Sequence, residues 1–130
     1  MSQPKILVVD DEPDIRESIR FCLDQEGYEV ITTTNGWEAL GAVRATEPDL
    51  VILDVMLPKE NGYRVSRMIK EDQRTGRLSK KAPVILLTGR NLQGDPEREK
   101  MFMEFSLADT MIYKPFDIKE LIEQVRELLA

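Results

Sequence analysis

Four short apolar runs in this chain lead into residues that can do chemistry. Ile6-Leu7-Val8-Val9 is followed by Asp10, Asp11 and Glu12, and Leu50-Val51-Ile52-Leu53 ends at Asp54. Val84-Ile85-Leu86-Leu87 ends at Thr88, and Thr110 to Tyr113 at Lys114. If these runs are strands of one parallel sheet, Asp10, Asp11, Asp54, Thr88 and Lys114 share a rim. Ligands of such sheets bind there, outside the carboxyl ends of the strands at the topological switch point. Like charges a few ångströms apart cost on the order of 1 to 4 kcal/mol per pair at effective dielectrics of 80 to 20. Lys114 offsets part of that cost, and the remainder invites a divalent cation. All-oxygen ligands with room for water suit Mg²⁺ or Mn²⁺. Such a cation attracts a phosphoryl group and neutralises its oxygens. Asp54 then reads as a carboxylate nucleophile forming an acyl phosphate. Thr88 can donate to one phosphoryl oxygen, and Lys114 can pair with another.

Each residue alone has a plainer use. An Asp pair after a strand is more often a helix cap than a metal ligand. Asp54 can cap a loop, Thr88 can sit in a turn, and Lys114 can be solvated. Their joint placement, each at a strand end, outweighs those separate readings. A cis Lys114-Pro115 bond would aim the Lys side chain inward.

The elements that must hold this rim follow from the hydropathy pattern. Apolar runs alternate with longer amphipathic stretches five times. The runs at 6–9, 50–53 and 84–87 are continuous and rich in branched side chains, as strands buried on both faces are. Glu29 to Thr33 is β-branched and half polar, which predicts an edge strand. Pro13 suits a first helical turn. Ile15, Ile19, Cys22 and Leu23 then recur at helical spacing until Gly27. Asn35 reads as the N-cap of a short helix carrying Ala39, Leu40 and Val43. Val65, Met68 and Ile69 form the inner face of the next helix, and 71–81 (EDQRTGRLSKK) reads as a polar surface loop. After the loop 90–96 a helix carries Met101, Phe102 and Phe105. The last helix sets Ile118, Leu121, Ile122, Val125, Leu128 and Leu129 on one face. Five β–α units in strict alternation predict an α/β doubly wound parallel sheet with helices on both faces.

Composition narrows the function. The chain has 130 residues, room for a single domain over 1–130 with no output domain attached. Lys plus Arg is 18, Asp plus Glu is 24, and the formal charge is −6, which argues against a nucleic-acid surface. There is no His, so Ser-His-Asp and Cys-His catalysis and imidazole zinc sites are excluded within the chain. Any phosphohistidine step must use a His on another protein. The lone Cys22 cannot make an internal disulfide, and its apolar neighbours predict a buried thiol in a reducing cytosol. The N-terminus carries no signal-peptide pattern. No apolar stretch approaches the roughly 20 residues of a membrane span.

These residues resemble the receiver domain of bacterial two-component response regulators. The resemblance runs from about Lys5 to Leu129. It is carried by ILVVDDEPDIR, by LVILDVMLP with Gly62 behind it, by VILLTG, and by KPF before a helix. It implies a flavodoxin-like sheet of five strands in the order 2-1-3-4-5. It also implies Asp54 as phosphoacceptor, with Mg²⁺ held by Asp10, Asp11, Asp54 and the backbone carbonyl of Met56, and with Thr88 and Lys114 reading the phosphoryl group. By the same resemblance, a sensor histidine kinase or phosphotransfer protein supplies phosphohistidine. The aspartyl phosphate shifts an equilibrium of the face formed by the fourth helix, fifth strand and fifth helix. That face meets a downstream protein or a second copy of the chain, in the cytoplasm.

Three positions depart from the family pattern. Met111 stands where the switch aromatic usually does, three residues before the Lys, while Tyr113 adjoins it; Phe102, Phe105 or Tyr113 are candidate substitutes. Leu107 replaces the usual Gly before Ala108-Asp109. The spacings from Asp54 to Thr88 and from Thr88 to Lys114 are both lengthened. The extension around Asn91 to Pro96 reads either as a lid or partner contact or as a neutral insertion. Met56 and Arg90 occupy positions that flank the phosphoryl group in the family. Neither is a base at neutral pH, which predicts slow self-dephosphorylation.

Other classes fit less well. A haloacid-dehalogenase-like phosphatase needs a second Asp two residues after Asp54, where Met56 stands. A flavodoxin needs a phosphate loop after the first strand, where Asp10-Asp11-Glu12 would repel it. A pseudo-receiver that only binds partners would not need all five site residues.

Overall fold

The computed structural model describes residues 3–89 and 94–130. Arg90 and residues 91–93, and with them half of the extension around Asn91 to Pro96 read as a lid, lie outside the described residues. The elements alternate as the pattern requires: β1 (Lys5–Val9), α1 (Pro13–Gln25), β2 (Glu29–Thr33), α2 (Gly36–Thr46), β3 (Leu50–Asp54), α3 (Gly62–Arg74), β4 (Val84–Thr88), α4 (Pro96–Ser106), β5 (Thr110–Tyr113) and α5 (Ile118–Leu129). All strand pairs are parallel, in the order β2-β1-β3-β4-β5. The predicted edge strand β2 is at one edge. The order reverses between β1 and β3, so Asp10 and Asp54 flank the switch point.

Side chains alternate across the sheet and make two separate cores. Leu7, Val51, Leu53 and Leu86 pack with Leu40 and Val43 of α2 and with Val65 and Ile69 of α3. On the opposite face, Ile6, Ile52, Ile85 and Leu87 pack with Ile19 and Leu23 of α1 and with Leu121 and Val125 of α5. Among the described residues, no helix is long and apolar enough to cross a membrane.

Helix starts follow local chemistry. The side chain of Asn35 accepts from the Glu38 N–H at 2.9 Å, while Glu38 accepts from the Thr34 N–H. Asn61, Asp95 and Asp117 cap α3, α4 and α5 in the same way.

Two expectations differ from the structure, and one feature, the packing of α4, has no expectation attached. Helix α3 runs on through Arg74, taking in 71–74 of the stretch read as loop. A distant partner supports that turn: Asp72 is buried and accepts from Arg44 Nε at 2.9 Å. Cys22 is half-buried rather than buried. It lines a mostly apolar cleft of about 500 Å³ between α1 and the segment from Lys114 to Ile118. Finally, α4 buries little of its apolar surface. Met101 and Phe105 are exposed, and only Ser106 of this helix is fully buried.

Candidate functional site

β1 delivers Asp10 to the rim, fully buried. Its Oδ1 accepts the Glu12 N–H at 2.9 Å and its Oδ2 accepts from Lys114 Nζ at 3.0 Å. Asp10 therefore shapes the turn into α1 without capping its first amides. Glu12 is the N-cap residue of α1 but makes no side-chain cap bond. Its carboxylate turns to Lys114 instead, at 3.2 Å. Asp11 is exposed.

β3 delivers Asp54, 2% exposed. Its Oδ1 accepts the Met56 N–H at 3.2 Å, and its Oδ2 lies 3.2 Å from Lys114 Nζ. The loop after it closes tightly, with the Gly62 N–H donating to the Val55 carbonyl at 2.9 Å. A Cβ at Gly62 would lie 2.3 Å from the Asp54 carbonyl oxygen. Only glycine allows α3 to start this close to the end of β3. Met56 is 76% exposed at the mouth of the site.

Lys114 follows β5, with its N–H donating to the Thr88 carbonyl at 2.7 Å. The Lys114-Pro115 bond is cis. The ammonium has three N–H donors and faces three carboxylates: Asp10, Glu12 and Asp54. Burial lowers the affinity of Lys114 for its proton, but the hydrogen bond to Asp10 and the charges of Asp54 and Asp10 outweigh it and hold its pKa above the usual value. Asp54 shows the opposite balance. Burial, then the charge of Asp10, pushes its pKa up to about 6 against the pull of Lys114 and the Met56 N–H.

One cation against three carboxylates leaves this group net negative. Carboxylate oxygens of Asp10, Glu12 and Asp54 lie within 4.8 Å of one another, a donor set of hard oxygens that fits a divalent cation. Asp11 is not in that set. Glu12 stands in it, a residue that the sequence reading named beside Asp10 and Asp11 but gave no ligand role.

Thr88, buried at the end of β4, sits opposite Tyr113 in the strand register. Its hydroxyl lies 3.4 Å from that of Tyr63, at the start of α3, and the Tyr63 ring stacks on Phe102 of α4. Tyr63 escaped the sequence reading; its one signal was an aromatic directly after the glycine that closes the loop. Tyr113 donates to Glu99 of α4, and burial with that bond pushes its phenol up to about 12. Met111 packs against the core shared by α2 and α3.

A doubly wound parallel sheet with buried carboxylates, a threonine and a lysine at its switch-point rim defines a class of signalling module. The family model for the response regulator receiver domain matches residues 6–126, and the chain belongs to that family. It is 35% identical over 126 residues to the DNA-binding dual master transcriptional regulator RpaA of Synechocystis, covering 97% of this chain and 49% of that protein. The chain thus spans about half the length of the curated relatives it matches. Among solved structures, a putative response regulator from Chloroflexus aurantiacus superposes with a TM-score of 0.82 at 31% identity, over 98% of both chains. The response regulator TrrA of Thermotoga maritima, in complex with Mg²⁺-BeF, superposes with a TM-score of 0.77 at 38% identity, over 98% of this chain and 100% of that one. Receiver domains of this family take a divalent metal and work with histidine kinases and downstream effectors.

Proposed function

We propose that this receiver takes a phosphoryl group from the phosphohistidine of a partner kinase or phosphotransfer protein onto Asp54. The observation that carries this reading is a buried Asp54 carboxylate held against Lys114 within a net-negative group of oxygens. An Asp54 oxygen attacks phosphorus as the P–N bond breaks, and the electron pair leaves on the partner's imidazole nitrogen. Lys114 pairs with the phosphoryl oxygens and Thr88 donates a hydrogen bond to one of them. Asp10, Asp11, Asp54 and the Met56 carbonyl would hold Mg²⁺ or Mn²⁺, with Glu12 beside them. When bound, that ion neutralises charge on the transferring group.

The phosphorylated state favours one arrangement of the α4-β5-α5 face, which docks a downstream protein or a second copy of the chain, in the cytoplasm. Met56 at the mouth has no group to activate water, which supports slow self-dephosphorylation. The test is Mg²⁺-dependent incorporation of phosphate from a small phosphodonor. Wild type incorporates it and Asp54→Asn does not; equal incorporation by both overturns the assignment.

A further inference from the structure

We propose that Tyr63 is a positioning residue that ties the orientation of the Thr88 hydroxyl to the position of α4, through the ring of Phe102. The proposal rests on the reading of Asp54 as phosphoacceptor and of Thr88 as its phosphoryl donor group. It adds a route from that group to α4 through α3 rather than along β5.

The tethers of α4 are unevenly spread. Its C-terminal end is pinned to α3: Ser66 Oγ donates to the Ser106 carbonyl at 2.9 Å, and Arg67 Nη1 donates to the Phe105 carbonyl at 2.9 Å. Its middle rests on the Phe102 ring, stacked on Tyr63 with centroids 4.5 Å apart and planes 17° apart. Glu99, one turn earlier, is held by the Tyr113 hydroxyl. A helix pinned at its C-terminal end, stacked on one ring at its middle and held by one side-chain bond nearer its start pivots about the pinned end.

The Tyr63 hydroxyl is also the link to the rim. The Thr88 hydroxyl has two partners, Tyr63 at 3.4 Å and the Gly89 carbonyl at 3.5 Å, both long for O–H···O bonds. Turning the Thr88 hydroxyl toward the rim gives up the one bond to Tyr63, in which either oxygen can be the donor. When Thr88 turns to donate to a phosphoryl oxygen on Asp54, the half-buried Tyr63 hydroxyl loses its partner there. Leaving such a group unpaired is costly, so the ring shifts to find another. Phe102, stacked face to face with it, shifts too, and the first turns of α4 follow. Met111 packs in the core and offers a thioether only, so it cannot take the place of this hydroxyl.

The test uses the full chain with Mg²⁺ and beryllium fluoride, a phosphoryl stand-in, read by amide chemical shifts. In wild type, amides near Asp10, Asp54 and Thr88 shift on addition, and so do those of 96–102. Tyr63→Phe keeps the ring and removes the hydroxyl. Its beryllium fluoride affinity rises roughly 2- to 10-fold, the worth of one hydrogen bond that Thr88 no longer gives up. Its 96–102 shifts shrink while the rim shifts stay. Phe102→Leu keeps the hydroxyl pair and removes the stack. It binds within about twofold of wild type, as expected of a residue off the rim, but also loses the 96–102 shifts. Full 96–102 shifts in both variants overturn the relay, as does their loss in Tyr113→Phe alone, which would place the route on β5. A wild-type chain whose rim amides ignore beryllium fluoride overturns the Asp54 reading, and the relay with it.

Discussion

Helices α4 and α5 are nearly equal in length, 11 and 12 residues, yet they are held by different means. α5 seats Leu121 and Val125 fully in the core under the sheet. Its apolar residues fall on one face, so burial alone fixes its place. α4 leaves Met101 53% and Phe105 42% exposed and is held by a ring stack and a few polar bonds. Burial of apolar area is non-directional and large, whereas single polar bonds are worth about 1 kcal/mol each and depend on geometry. A signal generated at the rim therefore finds in α4 an element that moves at small cost, and in α5 one that does not.

The largest expected effect breaks the fixed side. Leu121→Ala removes a fully buried side chain and should cost about 3 kcal/mol in urea unfolding. An equal loss from Met101→Ala would end the contrast between the helices.

The next effect comes from the rim. A carboxyl whose folded pKa is raised binds its proton more tightly folded than unfolded. Stability is therefore greatest below the unfolded value near 3.8 and falls as pH rises to about 6. In metal-free buffer at pH 7, Asp54→Asn should be more stable than wild type, because it removes a buried charge that lies beside Asp10. The fall in stability between pH 4 and 6 should flatten in the variant. Hydrogen exchange sharpens the comparison. Amides of β3 and α5, whose buried side chains should let them open only with the whole fold, should slow in Asp54→Asn. Those of α4, whose sparse burial should let them open locally, should not.

The same division governs what could be read from sequence. The strands, their helices and the rim were legible because each rests on contiguous apolar runs or on position at a strand end. Asp54, Thr88 and Lys114 fall where their runs stop. What was not legible depends on partners far along the chain. Asp72 looks like a loop residue until Arg44, on α2, is placed beside it. Glu12 rather than Asp11 meets Lys114 because the turn after β1 follows Asp10, which spacing alone does not reveal. The α4 pattern of Met101, Phe102 and Phe105 resembles a buried face, but only Phe102 finds a ring, on an aromatic that periodicity gave no reason to single out.

A smaller effect should appear on α4 alone. Tyr113→Phe removes the bond to Glu99 and leaves the ring packed. One hydrogen bond of this kind is worth about 1 kcal/mol, so α4 amides should exchange about fivefold faster. Those of α5 should be unchanged. Acceleration throughout the chain would mean that α4 opens only with the whole fold.

The smallest effect concerns Phe105. Its ring carries the Arg67 guanidinium, 5.1 Å from the centroid, and the residue is 42% exposed. An exposed cation–π contact is worth about 0.5 to 1 kcal/mol. Arg67 also donates to Glu71 and to the Phe105 backbone carbonyl, and any residue at 105 supplies the latter. Phe105→Ala should therefore lose less than about 1 kcal/mol and leave the pinned end of α4 in place. Its 103–106 amides should keep their exchange rates relative to 96–102. If instead the whole helix loosened, the ring of Phe105 would be a main support of α4, and the pinning would belong to packing rather than to Ser66 and Arg67.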